Sequence, residues 1–384
     1  MAAALGCGDA SPPAVDGSTT AATTGSAAAP TTGTAASSAA DTSGASSSTG
    51  GGAGGDTTGA GEASGGESTG SEAGGEASSG GETSSGGAGS EASSGEASGG
   101  GSTGEDSGAP VIPGPKVKVI TFNIRVGTAN DGENAWDQRK PIVFDYLLMQ
   151  DADVIGMQED LRFQLLAIDD AVAGYKRVGR GTVDGMQKGP YNAIYFKKER
   201  FMLGEWDTFA LSDTPGQAGS TSWGNEHPRA VTWARLIEKD TGYGFYVFNT
   251  HFDHISQNSR ERSAALLAER VADRAEDEPF VVTGDFNAAE GNLAVRYLKK
   301  DAKIGGQDTP VRMVDTFRVH DPDATAVGTA HGFNGGTGGN KIDYVWAQPA
   351  TEVVNAYISH YNVDGRYPSD HFPVVGVVRF VDKP

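Results

Sequence analysis

The sequence of 384 residues contains a single cysteine, Cys7. One cysteine excludes an internal disulfide and a zinc site built from cysteines. The sequence also lacks any run of about 18 apolar residues, the length that a membrane-spanning helix needs. No disulfide framework, cysteine-based zinc site or membrane-spanning helix is therefore predicted.

Lysine, arginine and aromatic residues are absent from the first 110 residues. This segment consists almost entirely of Gly, Ser, Thr and Ala with scattered acids, a composition that cannot bury enough apolar surface to offset the chain entropy lost on ordering. Its short Gly/Ser/Glu motifs recur without a fixed period, which excludes a collagen or a solenoid. We predict a disordered acidic tail at residues 1–110 and one catalytic domain at residues 111–384.

An excess of positive charge is missing as well. Of 50 acidic residues, 13 lie in the tail, which leaves 37 acidic against 30 basic residues, a net charge of −7, in residues 111–384. Proteins that coat nucleic acids bind through Lys and Arg that neutralise phosphates, so this charge argues against that class. An enzyme that cleaves a phosphoester is not excluded, because a bound divalent cation can supply local positive charge.

The N-terminal sequence Ala4-Leu-Gly-Cys7 resembles the end of a bacterial lipoprotein signal. The residues before it are too few for the roughly 7 to 15 apolar residues of a complete signal. Two interpretations stay open. Either the true start lies upstream and lipidation of Cys7 attaches a secreted, periplasmic or cell-surface protein to a membrane through its tail, or Cys7 is a chance residue near the start.

Hydrophobic periodicity predicts interleaved strands and helices in the folded part. Strands are predicted at 116–125, 153–158, 191–197, 229–237, 244–251, 279–283, 341–347, 353–359 and 373–381. Helices are predicted at 137–150, 161–173 and 259–275. Because the strands outnumber the helices and several follow each other directly, the pattern favours sheets packed face to face with helices outside over a doubly wound parallel sheet.

The predicted strands end in acids, amides and histidines instead of ordinary turn residues. The residues concerned are Asn123, Glu159, His251, Asp285, Asn287, Asp370 and His371. Each segment alone has a simple alternative, such as a turn at 285–287 or a helix start at Glu159, where the dipole favours an acid. Their joint occurrence predicts convergence on one cleft. His227 is predicted in a loop near the cleft mouth, and His320 and His360 on the surface.

Two other enzyme classes lack their motifs. Residues 111–384 contain no Gly-x-Ser-x-Gly, which argues against a serine hydrolase. The glycine-rich segment 335–341 lacks the Gly-Lys-Ser/Thr ending of a phosphate-binding loop.

Six segments together resemble the signature motifs of the endonuclease/exonuclease/phosphatase superfamily. They are Thr121-Phe-Asn-Ile-Arg125, Gly156-Met-Gln-Glu159, Asn249-Thr-His251, Gly284-Asp-Phe-Asn287, Ile342-Asp-Tyr344 and Ser369-Asp-His371. The resemblance covers residues 116–381 in the family's order, and segments 249–254 and 365–371 are most similar to a bacterial, often secreted branch. It implies an α/β fold of the DNase I type, a four-layered sandwich of two packed mixed β-sheets flanked by helices, and metal-dependent phosphoester cleavage.

The resemblance also implies a metal site. Glu159 would be the principal Mg²⁺ ligand, with Mn²⁺ as an alternative ion, and Asn123 would lie beside it. Asp370 would lie by the metal or support His251. Mg²⁺ prefers a few carboxylate or amide oxygens plus water, which this set supplies.

The catalytic roles follow from the same resemblance. Asp285 would orient or deprotonate the attacking water, and Asn287 would position water and a phosphate oxygen. His251 and His371 would donate hydrogen bonds to phosphoryl oxygens, and Asp343 would hold His371 in the required tautomer. Cations and imidazole donors are what an anionic transition state needs.

Two residues are assigned to substrate binding, Arg229 near the phosphate and His331 at the substrate rim. One position departs from the family pattern. The family carries an acid that supports the first histidine just before the strand at 191–197, and Pro190 stands there. Either Asp253 or Asp184 replaces that acid, or His251 is less well supported than in the family.

The leading hypothesis is a secreted or surface-tethered, monomeric hydrolase, a phosphodiesterase or phosphatase that acts on a small or lipid-linked phosphate ester. An extracellular DNase-type endonuclease is one alternative, which the net charge does not favour. A catalytically inactive binding module is another, and the retained set of acids and histidines argues against it.

Deleting residues 1–110 should leave the melting temperature and the turnover of soluble substrates nearly unchanged, because the composition of this segment provides no apolar core. Thermal denaturation and activity assays on the truncated and full-length chains test this expectation. A large drop in melting temperature on deletion would contradict it.

Overall fold

The computed structural model describes residues 114–381. The strands are β1 Lys116–Asn123, β2 Val154–Gln158, β3 Tyr175–Val178, β4 Ile194–Lys197, β5 Phe201–Ala210, β6 Ala230–Glu238, β7 Gly244–His251, β8 Phe280–Asp285, β9 Val314–Asp315, β10 Asp343–Ala347, β11 Glu352–Ile358 and β12 Val374–Arg379. The helices are α1 Trp136–Gln150, α2 Arg162–Ala171, α3 Gln257–Ala272, α4 Leu293–Leu298 and α5 Thr316–His320. The predicted tail and Cys7 lie outside the described residues. Within 114–381, no helix is both long and apolar enough to cross a membrane.

The strands form two mixed six-stranded sheets. The first has the order β11-β12-β1-β2-β4-β3 and the second the order β5-β6-β7-β8-β10-β9. In the first sheet β1 is parallel to β2 and antiparallel to β12. In the second, β7 is parallel to β8, and β8 is antiparallel to β10. Parallel neighbours place the carboxyl ends of β1 and β2, and of β7 and β8, at one edge of each sheet.

Apolar side chains on both faces of the sheets define the layers. One buried cluster joins the inner faces and includes Val119, Val154, Val247 and Val281. A second packs α1 and α2 on the first sheet, and a third packs α3 and α4 on the second sheet. The predicted four-layered α/β sandwich is therefore confirmed.

The structure contains elements that the periodicity did not predict, namely β3, β5, β9, α4 and α5. Four of them have only two to six residues, too few for a period to show. The ten-residue β5 was missed because it is an edge strand with a register shift between Leu203 and Trp206, so its burial does not alternate regularly.

Buried polar side chains connect the two sheets near their carboxyl ends. Gln158 of β2 donates to the Asn249 side-chain oxygen of β7 at 2.6 Å, and Thr283 of β8 donates to the same oxygen at 2.9 Å. Asn249 donates in return to the carbonyl of Met157 at 2.7 Å. This close approach requires Gly156, since an added Cβ would overlap the Thr283 hydroxyl and lie 2.7 Å from the Asn249 oxygen.

Gly156→Ala should lower the free energy of unfolding by about 1–3 kcal/mol, because the extra methyl has no space between the sheets. Gly174→Ala is the matched control, since an added Cβ there meets no atom within 4 Å, and its effect should stay below about 1 kcal/mol. Chemical denaturation of both variants measures the difference. Equal stability of the two variants would contradict the packing described for Gly156.

Candidate active site

A cavity of about 510 Å³ opens at the carboxyl ends of β1, β2, β7 and β8. Six of the ten predicted site residues line it, namely Glu159, Arg229, His251, Asp285, Asn287 and His371. Asn123, Asp343 and Asp370 lie behind this lining and contact residues in it. The predicted convergence of strand ends on one cleft is thus what the structure shows.

The side chain of Asn123 lies between two carboxylates. Its amide nitrogen donates to Glu159 at 3.1 Å and to Asp285, in the other sheet, at 3.0 Å. Its oxygen accepts the backbone N–H of Arg125 at 2.9 Å, which fixes the orientation of the amide. Glu159 has a left-handed backbone with φ 63° and accepts the N–H of Val126 at 2.8 Å. Such a conformation costs free energy in a non-glycine residue and is common at functional sites.

Asp285 is almost fully buried at the end of β8. Burial and the nearby Asp343 carboxylate raise the pKa of Asp285 to about 7. One oxygen accepts the N–H of Asn287 at 2.8 Å, and the other lies 3.5 Å from His251 Nε2 and 3.8 Å from His371 Nδ1. A carboxylate with this pKa is suited to act as a general base near neutral pH.

His371 forms an ion pair with Asp343. The distance from His371 Nδ1 to the Asp343 carboxylate is 2.9 Å. Burial disfavours the charged ring, yet the carboxylates of Asp343, Asp285 and Asp370 raise the pKa of His371 to about 10. The ring is therefore an imidazolium at neutral pH, and it lines the cavity. Asp343 thus contacts His371, the ring that the family resemblance assigned it to hold.

Thr329 connects the chain segment of Asp343 to that of His371. Its hydroxyl accepts the N–H groups of Ile342 and Asp343 at 3.0 and 3.3 Å, and its carbonyl accepts the N–H of Phe372 at 2.7 Å. Ala330 and His371 form an isolated β-bridge. These bonds set the register between two segments that lie far apart in the sequence.

His251 differs from its predicted donor role. Its Nε2 lies 2.9 Å from the side-chain nitrogen of Asn287, which also donates to the carbonyl of Phe252 at 3.1 Å. That second bond fixes the Asn287 amide, so Nε2 is an acceptor and the ring proton is on Nδ1. Burial, together with Arg229 and His371, lowers the pKa of His251 well below its ordinary value. His251 is therefore a neutral ring that does not offer Nε2–H to a phosphate in this arrangement.

Arg229 directly precedes β6, and its side chain is 12% exposed. Its Nη2 donates to His254 Nδ1 at 2.9 Å, and its Nε lies 3.7 Å from the buried Asp253 carboxylate. The other Asp253 oxygen accepts the N–H groups of Ile255 and Ser256. Asp253 thus supports both Arg229 and the backbone at Ile255 and Ser256.

Asp184, the second acid considered in place of Pro190, does not support His251. Its carboxylate accepts backbone N–H groups of its own loop, from residues 186 to 188. Neither of the two acids considered as replacements at the Pro190 position therefore contacts His251.

Comparison with known proteins decides the family. Residues 120–371 match the Endonuclease/Exonuclease/phosphatase family. The chain belongs to this family.

Several known proteins are similar to the part of the chain that carries this site. An endonuclease/exonuclease/phosphatase from Bacteroides vulgatus is 27% identical, with a TM-score of 0.61 and coverage of 70% of this chain and 100% of that one. A mannosyl-6-phosphatase from Bacteroides thetaiotaomicron is 28% identical, with a TM-score of 0.60 and coverage of 68% and 99%. An uncharacterized protein of Acanthamoeba polyphaga mimivirus is 24% identical over 277 residues, which span 67% of this chain and 98% of that protein. The chain therefore resembles these proteins along nearly their whole length.

His331 does not lie where the family resemblance placed it. The ring is 7% exposed, stacks on Phe372 with centroids 3.9 Å apart, and lies against Tyr367. Its Nδ1 accepts the N–H of Gly335 at 3.2 Å, and burial lowers its pKa to about 4. Aromatic neighbours cover the ring, so it packs beneath the segment of His371 instead of forming a substrate rim.

Asp370 faces Arg125, with 3.5 Å between its carboxylate and the guanidinium, and its backbone carbonyl accepts the N–H groups of His331 and Gly332. No contact joins Asp370 to His251 among the described residues. Support of His251, one of its two predicted roles, is therefore not found in the part of the chain that the structure describes.

Sequence reasoning missed Arg139, which is 1% exposed. Its guanidinium donates to the carbonyls of Ile124 at 2.6 Å, Arg125 at 2.8 Å and Pro368 at 3.0 Å. It thereby joins the segment after Asn123 to the segment before Asp370. The available signal was its position on the apolar face of α1, three residues before Ile142.

Other functional residues were also missed. His254 lines the cavity, although it was assigned no role of its own within the segment 249–254. Nothing in the sequence indicated the contacts of Thr329. His227 lines the cavity from a loop, as predicted, and His320 and His360 are exposed, as predicted.

One group of acidic and histidine side chains has the spacing of a metal site among residues 114–381. The ligand atoms of Asp285, Asp343 and His371 all lie within 4.8 Å of one another. This group differs from the predicted ligands Asn123, Glu159 and Asp370. The two sets adjoin each other through the contact of Asn123 with Asp285.

His371→Ala should lower kcat roughly 10²- to 10⁴-fold, because it removes a charged donor from the cavity. Adding Asp343→Asn to that variant should cost little more, since residues that act as a unit are strongly non-additive. His360→Ala, an exposed ring against Phe372, is the control and should keep full activity. Steady-state kinetics on these proteins and on Asp343→Asn alone, which completes the double-mutant cycle, make the test, with melting temperatures to confirm folding. Strictly additive losses would show that the two residues are not a coupled pair.

Proposed function

We propose that the protein is a divalent-metal-dependent hydrolase of small phosphate esters. This proposal rests on one observation: carboxylates and positively charged donors lie in two parts of the same cavity. The carboxylates of Glu159 and Asp285 converge on the amide of Asn123, and the imidazolium of His371 and the guanidinium of Arg229 lie in the same cavity. An anionic ester needs both parts, a place for a cation and donors for its oxygens.

The residues present fit a hard divalent cation. The Glu159 carboxylate lines the cavity, Asp285 accepts from the same Asn123 amide as Glu159 does, and a buried oxygen of Asp343 has no hydrogen-bond partner among the described residues. Mg²⁺ and Mn²⁺ prefer such oxygen donors. Glu159 would be the principal ligand, and the amide nitrogen of Asn123, whose oxygen is taken by the Arg125 N–H, would hold its carboxylate in place. A bound cation would polarise a phosphoryl oxygen and neutralise developing charge.

The protein's own side chains account for the remaining chemistry. Asp285, with its raised pKa, accepts a proton from the attacking water. Asn287 holds His251 on one side of that carboxylate, and His371 lies on the other. His371 and Arg229 donate to phosphoryl oxygens as negative charge builds. Asp343 keeps His371 charged and oriented throughout.

A small substrate is supported by the size of the cavity and by one relative. About 510 Å³ lies within the range of small-molecule pockets. The relative from Bacteroides thetaiotaomicron, 28% identical, is a mannosyl-6-phosphatase. We propose a sugar phosphate or a similar small ester as the substrate class, with the predicted tail holding the enzyme near a cell surface.

Chelation should abolish hydrolysis of p-nitrophenyl phosphate or its diester, and added Mg²⁺ or Mn²⁺ should restore it, because the paired carboxylates need a cation to bind an anionic ester. Glu159→Gln should require at least about tenfold more metal for half-maximal activity, since it removes one ligand charge. Glu133→Gln, an exposed acid outside the cavity, is the control. Undiminished activity in protein verified to be metal-free would exclude this mechanism.

A further inference from the structure

We propose that His254, held by Arg229, binds a non-bridging oxygen of a terminal phosphate, so that the cavity selects phosphomonoesters over phosphodiesters. This inference rests on the proposed function and specifies its substrate. It assigns His254 as a specificity-determining residue, a role that is separate from the water activation at Asp285.

The contact between Arg229 and His254 fixes which nitrogen of His254 can donate. A guanidinium has donors only, so the 2.9 Å contact makes His254 Nδ1 an acceptor. The proton of the neutral ring is therefore on Nε2. Because the ring is exposed and lines the cavity, Nε2–H is available to a ligand there.

Arg229 keeps unused donors as well. Of its five N–H groups, the one on Nη2 that binds His254 makes the only hydrogen bond within residues 114–381. Its Nε and the facing Asp253 oxygen are 3.7 Å apart, and both are buried without a hydrogen-bond partner in the same range. Asp253 is fully buried and balances the charge of Arg229. Because Arg229 lines the cavity, its remaining Nη donors are assigned to a ligand there.

Arg139 is also buried, but unlike Arg229 it uses most of its donors within the fold. All of its bonds go to backbone carbonyls, those of Ile124, Arg125, Asn134 and Pro368, and it has no place for a ligand. Arg229 instead combines partial burial, free donors and a cavity. Together with the N–H of His254 it forms a pair of donors at one wall.

The number of donors favours a terminal phosphate. A monoester carries about −1.5 to −2 charge near pH 7 and three non-bridging oxygens, whereas a diester carries one charge and two such oxygens. His371 and the proposed cation serve oxygens next to the attacking water. Arg229 donates to an oxygen that both esters have, and the N–H of the His254 ring that it holds adds a donor for the further oxygen and charge that only the monoester has.

The test compares two esters with the same leaving group, p-nitrophenyl phosphate and bis(p-nitrophenyl) phosphate, in the full chain with saturating Mg²⁺. His254→Ala should lower kcat/KM for the monoester about 10- to 50-fold, the effect of one lost hydrogen bond to a charged group. The diester should change less than about threefold. His254→Gln, which keeps an N–H donor, should recover part of the loss. His320→Ala, an exposed histidine at the end of α5, is the control and should change neither ester.

Inorganic phosphate provides a binding measurement that does not need turnover. Its dissociation constant, measured by calorimetry with Mg²⁺ present, should rise about 10-fold or more in His254→Ala and stay unchanged in His320→Ala. Equal losses on both esters, or unchanged phosphate affinity, would overturn the assignment of His254. If the unaltered protein hydrolyses neither ester with any divalent metal, the proposed function fails instead, and phosphate binding still tests the subsite.

Discussion

The amide of Asn123 lies between two carboxylates that reach it from different sheets. Glu159 comes from the end of β2, in the same sheet as Asn123, and Asp285 from the end of β8, in the other. This contact exists only because the sheets are fixed at one distance and one register. The hydrogen bonds of Asn249 with the Gln158 side chain and the Met157 carbonyl set that distance, and the absence of a side chain at Gly156 permits it. A slip by one residue in any of these strands would turn its polar end residue to the opposite face.

Bringing like charges together in a buried place is costly unless they are compensated. Asp285 and Asp343 are register partners on neighbouring strands, and both are almost fully buried. Their mutual repulsion contributes to the raised pKa of Asp285, and the imidazolium of His371 offsets it. The backbone also carries strain at this place, since Glu159 and Asn287 both have positive φ. The compensating stability comes from the three apolar clusters that surround the sheets.

Much of the fold followed from local patterns. Strand β7 has its predicted bounds, and most other predicted elements differ by a few residues at their ends. Polar residues at strand ends also indicated five of the residues that line the cavity, Glu159, His251, Asp285, Asn287 and His371. The partners of those residues were not predictable, because they depend on pairing across the chain. The tautomer of His251 is set by Asn287, which is itself fixed by a carbonyl 35 residues earlier. The burial of His331 depends on Tyr367 and Phe372, and no local signal in its own segment reveals them.

The net negative charge of the folded part does not conflict with an anion-binding cavity, because local geometry and not the sum of charges decides the potential at a site. Most acids near the cavity are already engaged. Asp131 and Asp370 neutralise Arg125, and Asp253 balances Arg229 from the protein side. In the proposed mechanism, Glu159 remains for a cation, Asp285 for the attacking water, and His371, Arg229 and His254 as donors. The difference between paired and unpaired groups also explains why the two buried arginines, Arg139 and Arg229, differ in role. Arg139 donates to backbone carbonyls and holds loops together, whereas Arg229 lines the cavity, holds His254 there and has its charge balanced by the buried Asp253.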